Sequence, residues 1–125
     1  MKTRSLFALI ALAGVLAGCA TQNKYERESQ KITEAVMNNN MGPVQNDLAP
    51  NVKLTRVQVA NWSDELNSQG KLESVKEVTP CNKPGYHCMT AKFEKNTYNE
   101  WIQLDDQGKV VKWGFHAATA GANGG

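Results

Sequence analysis

The chain has 125 residues, of which 41% are hydrophobic and 21% charged, enough for one small domain and too few for two. Its 14 basic and 12 acidic residues leave a formal net charge of +2. No Lys/Arg cluster stands out, which excludes the electrostatic footprint of a nucleic-acid binder.

The N-terminus is read first. Residues 1–4 contain Lys2 and Arg4, residues 5–15 are almost free of polar side chains, and Leu16-Ala17-Gly18-Cys19 follows. A basic start, an apolar run and small residues before a cut are the parts of a secretory signal. The apolar run over 6–16 is 11 residues long, short of the roughly 20 that a spanning helix needs. The tetrad resembles the lipobox of bacterial lipoproteins. That resemblance implies a diacylglyceryl group on the Cys19 thiol, cleavage after Gly18, and a membrane partner reached through the lipid. It also implies an outer-membrane site facing the periplasm in a two-membrane cell, because Ala20 and not Asp follows the cysteine. Loss of residues 1–18 leaves 107 of the 125, with 12 basic against 12 acidic residues once Lys2 and Arg4 are gone. No basic patch follows Cys19, so the lipid alone must hold the membrane, and two or three chains suffice for stable anchoring.

With Cys19 assigned to lipid, Cys81 and Cys88 remain as a pair, and an exported domain is expected to oxidise it. The loop from Cys81 to Cys88 spans eight residues and reverses at Pro84-Gly85. Closing so short a loop contributes about 2.5 kcal/mol. Metal binding with His87 as a third ligand is the competing reading. A structural zinc site wants four ligands and His116 is the only other histidine, so no metal or cofactor is expected.

Residues 19–24 form a polar tether. A helix starts near Tyr25, with Ile32, Ala35, Val36 and Met37 on its apolar side, and stops at Asn38-Asn39-Asn40. A short helical piece starts at Gly42-Pro43 and ends before Ala49-Pro50, offering Val44 and Leu48. A third helix over 54–68 buries Val59, Trp62 and Leu66, exposes Ser63-Asp64-Glu65 and ends at a left-handed Gly70. After Gly70 the period becomes two. The first strand, over 71–78, carries Leu72, Val75 and Val78 out of strict alternation, which predicts a bulge. The second strand presents Met89, Ala91 and Phe93 inward, with His87 continuing that face at the disulfide end. The third shares Tyr98, Ile102 and Leu104 on one face and puts Trp101 opposite. Asp105 to Lys109 makes a hairpin turn. The last strand places Val111, Trp113 and Phe115 inward and Val110, Lys112, Gly114 and His116 outward. Residues 118–125 are small and polar, a disordered tail.

Helices followed by strands give an α+β fold: N-terminal helices packed on a curved four-stranded antiparallel meander, in one domain over 25–117. Trp62, Leu66 and Gly70, with the hairpin from Trp101 through Asp105-Asp106-Gln107-Gly108-Lys109 to Trp113 and Phe115, resemble the nuclear-transport-factor-like, cystatin-like superfamily. That resemblance implies a sheet wrapped round a long helix, a frequent pocket, and enzymes that use an acid or histidine inside the cone.

On these assignments no inward strand position is titratable. His87 lies at a strand end, His116 faces outward, and Glu100, at a strand start, is expected at the rim. Asp105 and Asp106 make a turn, Ser63 has no histidine nearby, and no Gly-rich phosphate loop exists. The chain therefore reads as a non-catalytic binding or interaction module for a periplasmic protein partner, of an assembly-factor or inhibitor type. The alternative is a small-molecule or lipid-binding domain with a pocket between sheet and helix. The candidate surface is Trp101, with Tyr86 and His87 beside it. An exposed aromatic face at Trp101 favours the first reading, and an enclosed apolar cavity near Met89 and Phe115 favours the second.

Overall fold

A computed structural model describes residues 22–118. Residues 1–21, which include the expected signal segment and Cys19, and residues 119–125 of the expected tail lie outside the described residues. Helix α1 (Lys24–Met37) begins at a capping box: the Asn23 side chain accepts from Glu26 N–H, and the Glu26 carboxylate accepts from Asn23 N–H. It buries Ser29, Ile32, Thr33, Ala35 and Val36. The asparagine run ends it, with Asn39 at φ 52°, a left-handed conformation that asparagine tolerates. The next piece is a 3₁₀ turn (Gly42–Asp47), opened by Pro43 and anchored by a fully buried Val44.

Helix α2 (Arg56–Asn67) is capped by Thr55, whose hydroxyl accepts from Gln58 N–H. Its buried residues are Val59, Ser63 and Leu66, so Ser63 is not on the exposed side as its neighbours Asp64 and Glu65 suggested. Ser63 Oγ and Asn67 Nδ2 both donate to Met37 O, at 3.0 and 2.8 Å. They satisfy a carbonyl at the end of α1 that has no partner within its own helix. Trp62 is only half-buried, set edge-on to Trp113 and Phe115 at 5.7 Å. Gly70 closes the segment at φ 85°, as expected.

Strands β1 (Leu72–Val78), β2 (His87–Phe93), β3 (Thr97–Leu104) and β4 (Val110–Ala117) form one antiparallel sheet in the order β1-β2-β3-β4. The class is α+β, with the helices packed on one face of a meander. The expected bulge in β1 falls between Leu72 and Ser74. A second bulge corrects the phase of β4: Gln103 pairs with Lys112 but Leu104 pairs with Val110, which makes Val111 the extra residue. Val110 is thereby turned into the core at 1% exposure, and Val111 is half-buried. Between the layers, Ile32, Val36, Val44 and Leu66 meet Met89, Ala91, Phe93, Tyr98 and Ile102. Each large side chain among them contributes roughly 1.5–3 kcal/mol.

Both outer strands are partly guarded. The Glu77 N–H of β1 donates to the Glu26 carboxylate at 2.8 Å, and Ala49 N–H donates to Val110 O of β4 at 2.9 Å. Occupied edges hinder strand-to-strand association and leave the broad outer face of the sheet as the open surface.

Candidate functional site

The outer face is built by alternation. Lys76 and Val78 of β1, Cys88, Thr90 and Lys92 of β2, Asn99 and Trp101 of β3, and Lys112, Gly114 and His116 of β4 point away from the helices. Trp101 and Gly114 are cross-strand partners. A Cβ at position 114 would sit 2.6 Å from the Trp101 indole, so only glycine lets the ring lie down on β4. The His116 ring is 5.3 Å from that of Trp101.

The disulfide supplies the far wall. Cys81 and Cys88 are bonded, with Cα atoms 5.2 Å apart, and they tie the 81–88 loop to the start of β2. The loop carries Lys83, whose ammonium stands 4.9 Å from the Trp101 ring centre and 5.7 Å from that of Tyr86. Both separations are within cation–π range. Between loop and sheet runs a groove of about 460 Å³, lined by Val78, Asn82, Lys83, Thr90, Asn99, Trp101 and His116 among others.

Of the three residues expected on the surface, Trp101 and Tyr86 share Lys83, and His87 does not join them. His87 faces the helices. Its ring stacks on Tyr25 of α1 at 3.5 Å, and its Nδ1 is 2.6 Å from Glu77 Oε2. Asn23 Nδ2 donates to the other oxygen of Glu77 at 2.8 Å. The cluster fastens the start of α1 to β1 and β2. Among the described residues no three His, Cys, Asp or Glu side chains are grouped to hold a metal ion. No described helix is long and apolar enough to cross a membrane.

Glu100 is the principal correction. Its position near the strand start suggested the rim, but it is 1% exposed. It pairs across the sheet with Met89 on one side and Phe115 on the other, in the middle of both neighbouring strands. Its Oε2 lies 2.8 Å from Thr33 Oγ1, which is also 2.8 Å from Ser29 O. Burial pushes the carboxyl up to about 8, against the lowering pull of the Thr33 hydroxyl and the nearby Trp113 indole. Proton counting agrees. Thr33 has one hydroxyl proton for the two oxygens at 2.8 Å, and a neutral Glu100 can donate to Thr33 Oγ1 while Thr33 donates to Ser29 O. Glu100 Oε1 and Trp113 Nε1 are neighbours, each buried and without a well-formed hydrogen bond. The sequence carried a signal for this: Ser29 and Thr33, four apart on an otherwise apolar stripe, are polar partners awaiting a polar group opposite.

A second carboxyl with a raised pKa lies on the helical side. Burial and the adjacent Asp47 carboxylate raise Glu28 to about 7. The neighbouring Glu28 carboxyl, together with Lys31 Nζ at 2.7 Å, holds Asp47 below the usual carboxylate range. The arrangement clamps α1 to the 3₁₀ turn.

Chemically, the inner face offers one neutral acid sealed from solvent, and the outer face offers an aromatic ring among cations and hydrogen-bonding groups. Compared with known protein families, curated proteins and solved structures, the chain matches none.

Proposed function

We propose that the chain is an exported envelope protein, anchored by lipid on Cys19, whose outer sheet face around Trp101 engages a protein partner without catalysis. The carrying observation is Trp101 laid on Gly114 in a sheet face that no described helix covers. A large aromatic set among polar and charged neighbours is the composition of an interface centre. The lipobox-like tetrad and the Cys81–Cys88 disulfide support an oxidising, extracytoplasmic setting. The pocket-binding alternative is less well supported, because Met89, Phe93 and Ile102 fill the space between sheet and helix at 2% exposure or less. Against catalysis, Glu100 is closed off from any substrate, and His87 is held between Tyr25 and Glu77.

The test is site-specific photocrosslinking of the full-length protein in its own cells. A photoreactive residue at Asn99 on the outer face is compared with one at Asn61 on α2; both native side chains are exposed. The proposal expects a discrete adduct from position 99, lost on Trp101→Ala in a chain whose circular dichroism is unchanged. An adduct from position 61 with none from 99 overturns it.

A further inference from the structure

The charges on the outer face are sorted. The chain has 12 acidic residues, and the cut form implied by the lipobox has as many basic ones. Yet among the strand residues that point to this face the acid is Glu73 alone, at the edge bulge and 3.9 Å from Lys92, while Glu94 and Asp105 lie just past the strand ends. Lys76, Lys92 and Lys112 project from three different strands, and Lys83 overhangs Trp101. Among the described residues, Lys76, Lys83 and Lys112 form no ion pair with a carboxylate. The acids Glu28, Glu34, Asp47, Asp64 and Glu65 belong to the helical side. In a balanced chain, this face sets three strand lysines and Lys83 against one strand acid, and its local charge is positive.

Resting on the reading just given, we infer that the partner docks through an acidic peptide segment carrying an apolar side chain. The carboxylates would meet Lys83, Lys76 and Lys112. The apolar side chain would enter the groove between Trp101 and Val78, the latter 43% exposed and lining the same groove. The groove's volume of about 460 Å³ admits a compact group of this kind. Cations dispersed over three strands around a single ring do not track a phosphate backbone with successive stacked bases, so nucleic acid fits less well. Sign complementarity of this sort sets the rate of encounter and the choice of partner.

The experiment uses the full chain in non-ionic detergent, labelled for amide NMR, with four probes. They are an oligoglutamate peptide with a central Leu-Phe, the same peptide with Gln for every Glu, a sulfated oligosaccharide, and an oligolysine peptide. The acidic peptide is expected to shift the amides of Thr90, Asn99, Trp101 and His116. Its affinity should fall at least about tenfold when salt rises from about 0.02 to about 0.2 M. A comparable loss is expected in the Lys83→Glu/Lys112→Glu double variant, both sites being exposed and outside the core. Equal binding of the Gln peptide, or binding of the sulfated oligosaccharide alone at these amides, overturns the inference. So does the absence of any probe binding at these amides. If the position-99 crosslink persists in those cases, the partner's chemistry was misassigned and the interaction reading stands. If the crosslink is missing as well, both fail.

Discussion

Replacing Glu100 by Gln isolates the one buried acid whose charge state the fold dictates. In the native chain the carboxyl is raised from its ordinary 4.5 to about 8. Between those two values the folded protein keeps a proton that the unfolded chain has released. Stability is therefore fully present below pH 4.5 and is lost as pH rises toward about 8. The slope is about 1.4 kcal/mol per pH unit, and the whole window amounts to roughly 4–5 kcal/mol as an upper bound. Set against total stabilities of about 5–15 kcal/mol for small domains, that is a dominant dependence. Glu28, raised to about 7, adds a smaller contribution of the same sign. The Gln variant removes only the Glu100 part. Its amide can donate to Thr33 Oγ1 as the neutral acid does, so the Thr33 bond to Ser29 O survives. Urea unfolding followed by circular dichroism, with the disulfide intact, should show native and variant within about 1 kcal/mol near pH 5. By pH 8 the variant should be roughly 3–4 kcal/mol the more stable. Parallel pH profiles for the two chains would refute the protonated, buried Glu100.

Gly114→Val forces a Cβ to within 2.6 Å of the Trp101 indole and should destabilise by about 1–3 kcal/mol; an unchanged urea midpoint would mean the ring does not rest on β4. Replacing both Cys81 and Cys88 by Ser should cost about 2–3 kcal/mol for so short a loop while the far-ultraviolet spectrum is kept. Less than about 0.5 kcal/mol in the same titration would show that the bridge does not restrain the chain. Cys19→Ser should abolish labelling by a fatty-acid analogue and leave the signal uncut, and a label retained on the serine variant would place the lipid elsewhere.

The strand positions were legible because period two is strict wherever one face is buried. His87, Met89, Ala91 and Phe93 fell on the inner side and Trp101 on the outer one as alternation required. What misled was length and phase. A bulge adds one residue without altering composition, so nothing in Val110-Val111 announces which valine turns inward. Ser63 was misplaced because two charged neighbours suggested a solvated face, while the carbonyl it serves, Met37 O, is 26 residues away in the chain. Contacts of that range leave no local pattern. Tyr86 and Trp101 were each visible as aromatics, but their joint contact with Lys83 depends on how the disulfide folds the loop back.

Glu100 and Trp101 are consecutive, and the alternation that turns the tryptophan outward commits the glutamate to the interior. Alternation with Ile102 makes the side of Glu100 legible but not its depth. A strand starting at Tyr98 would leave Glu100 close to its end, whereas β3 starts at Thr97 between neighbours that reach Phe93 and Ala117. Depth decides the chemistry. A carboxylate at a rim stays ionised and could meet a substrate, while the same group under α1 is held neutral by burial and reaches Thr33 and the Trp113 indole. That is why the inner face of this strand serves the fold and the outer face is the one left open to the proposed partner.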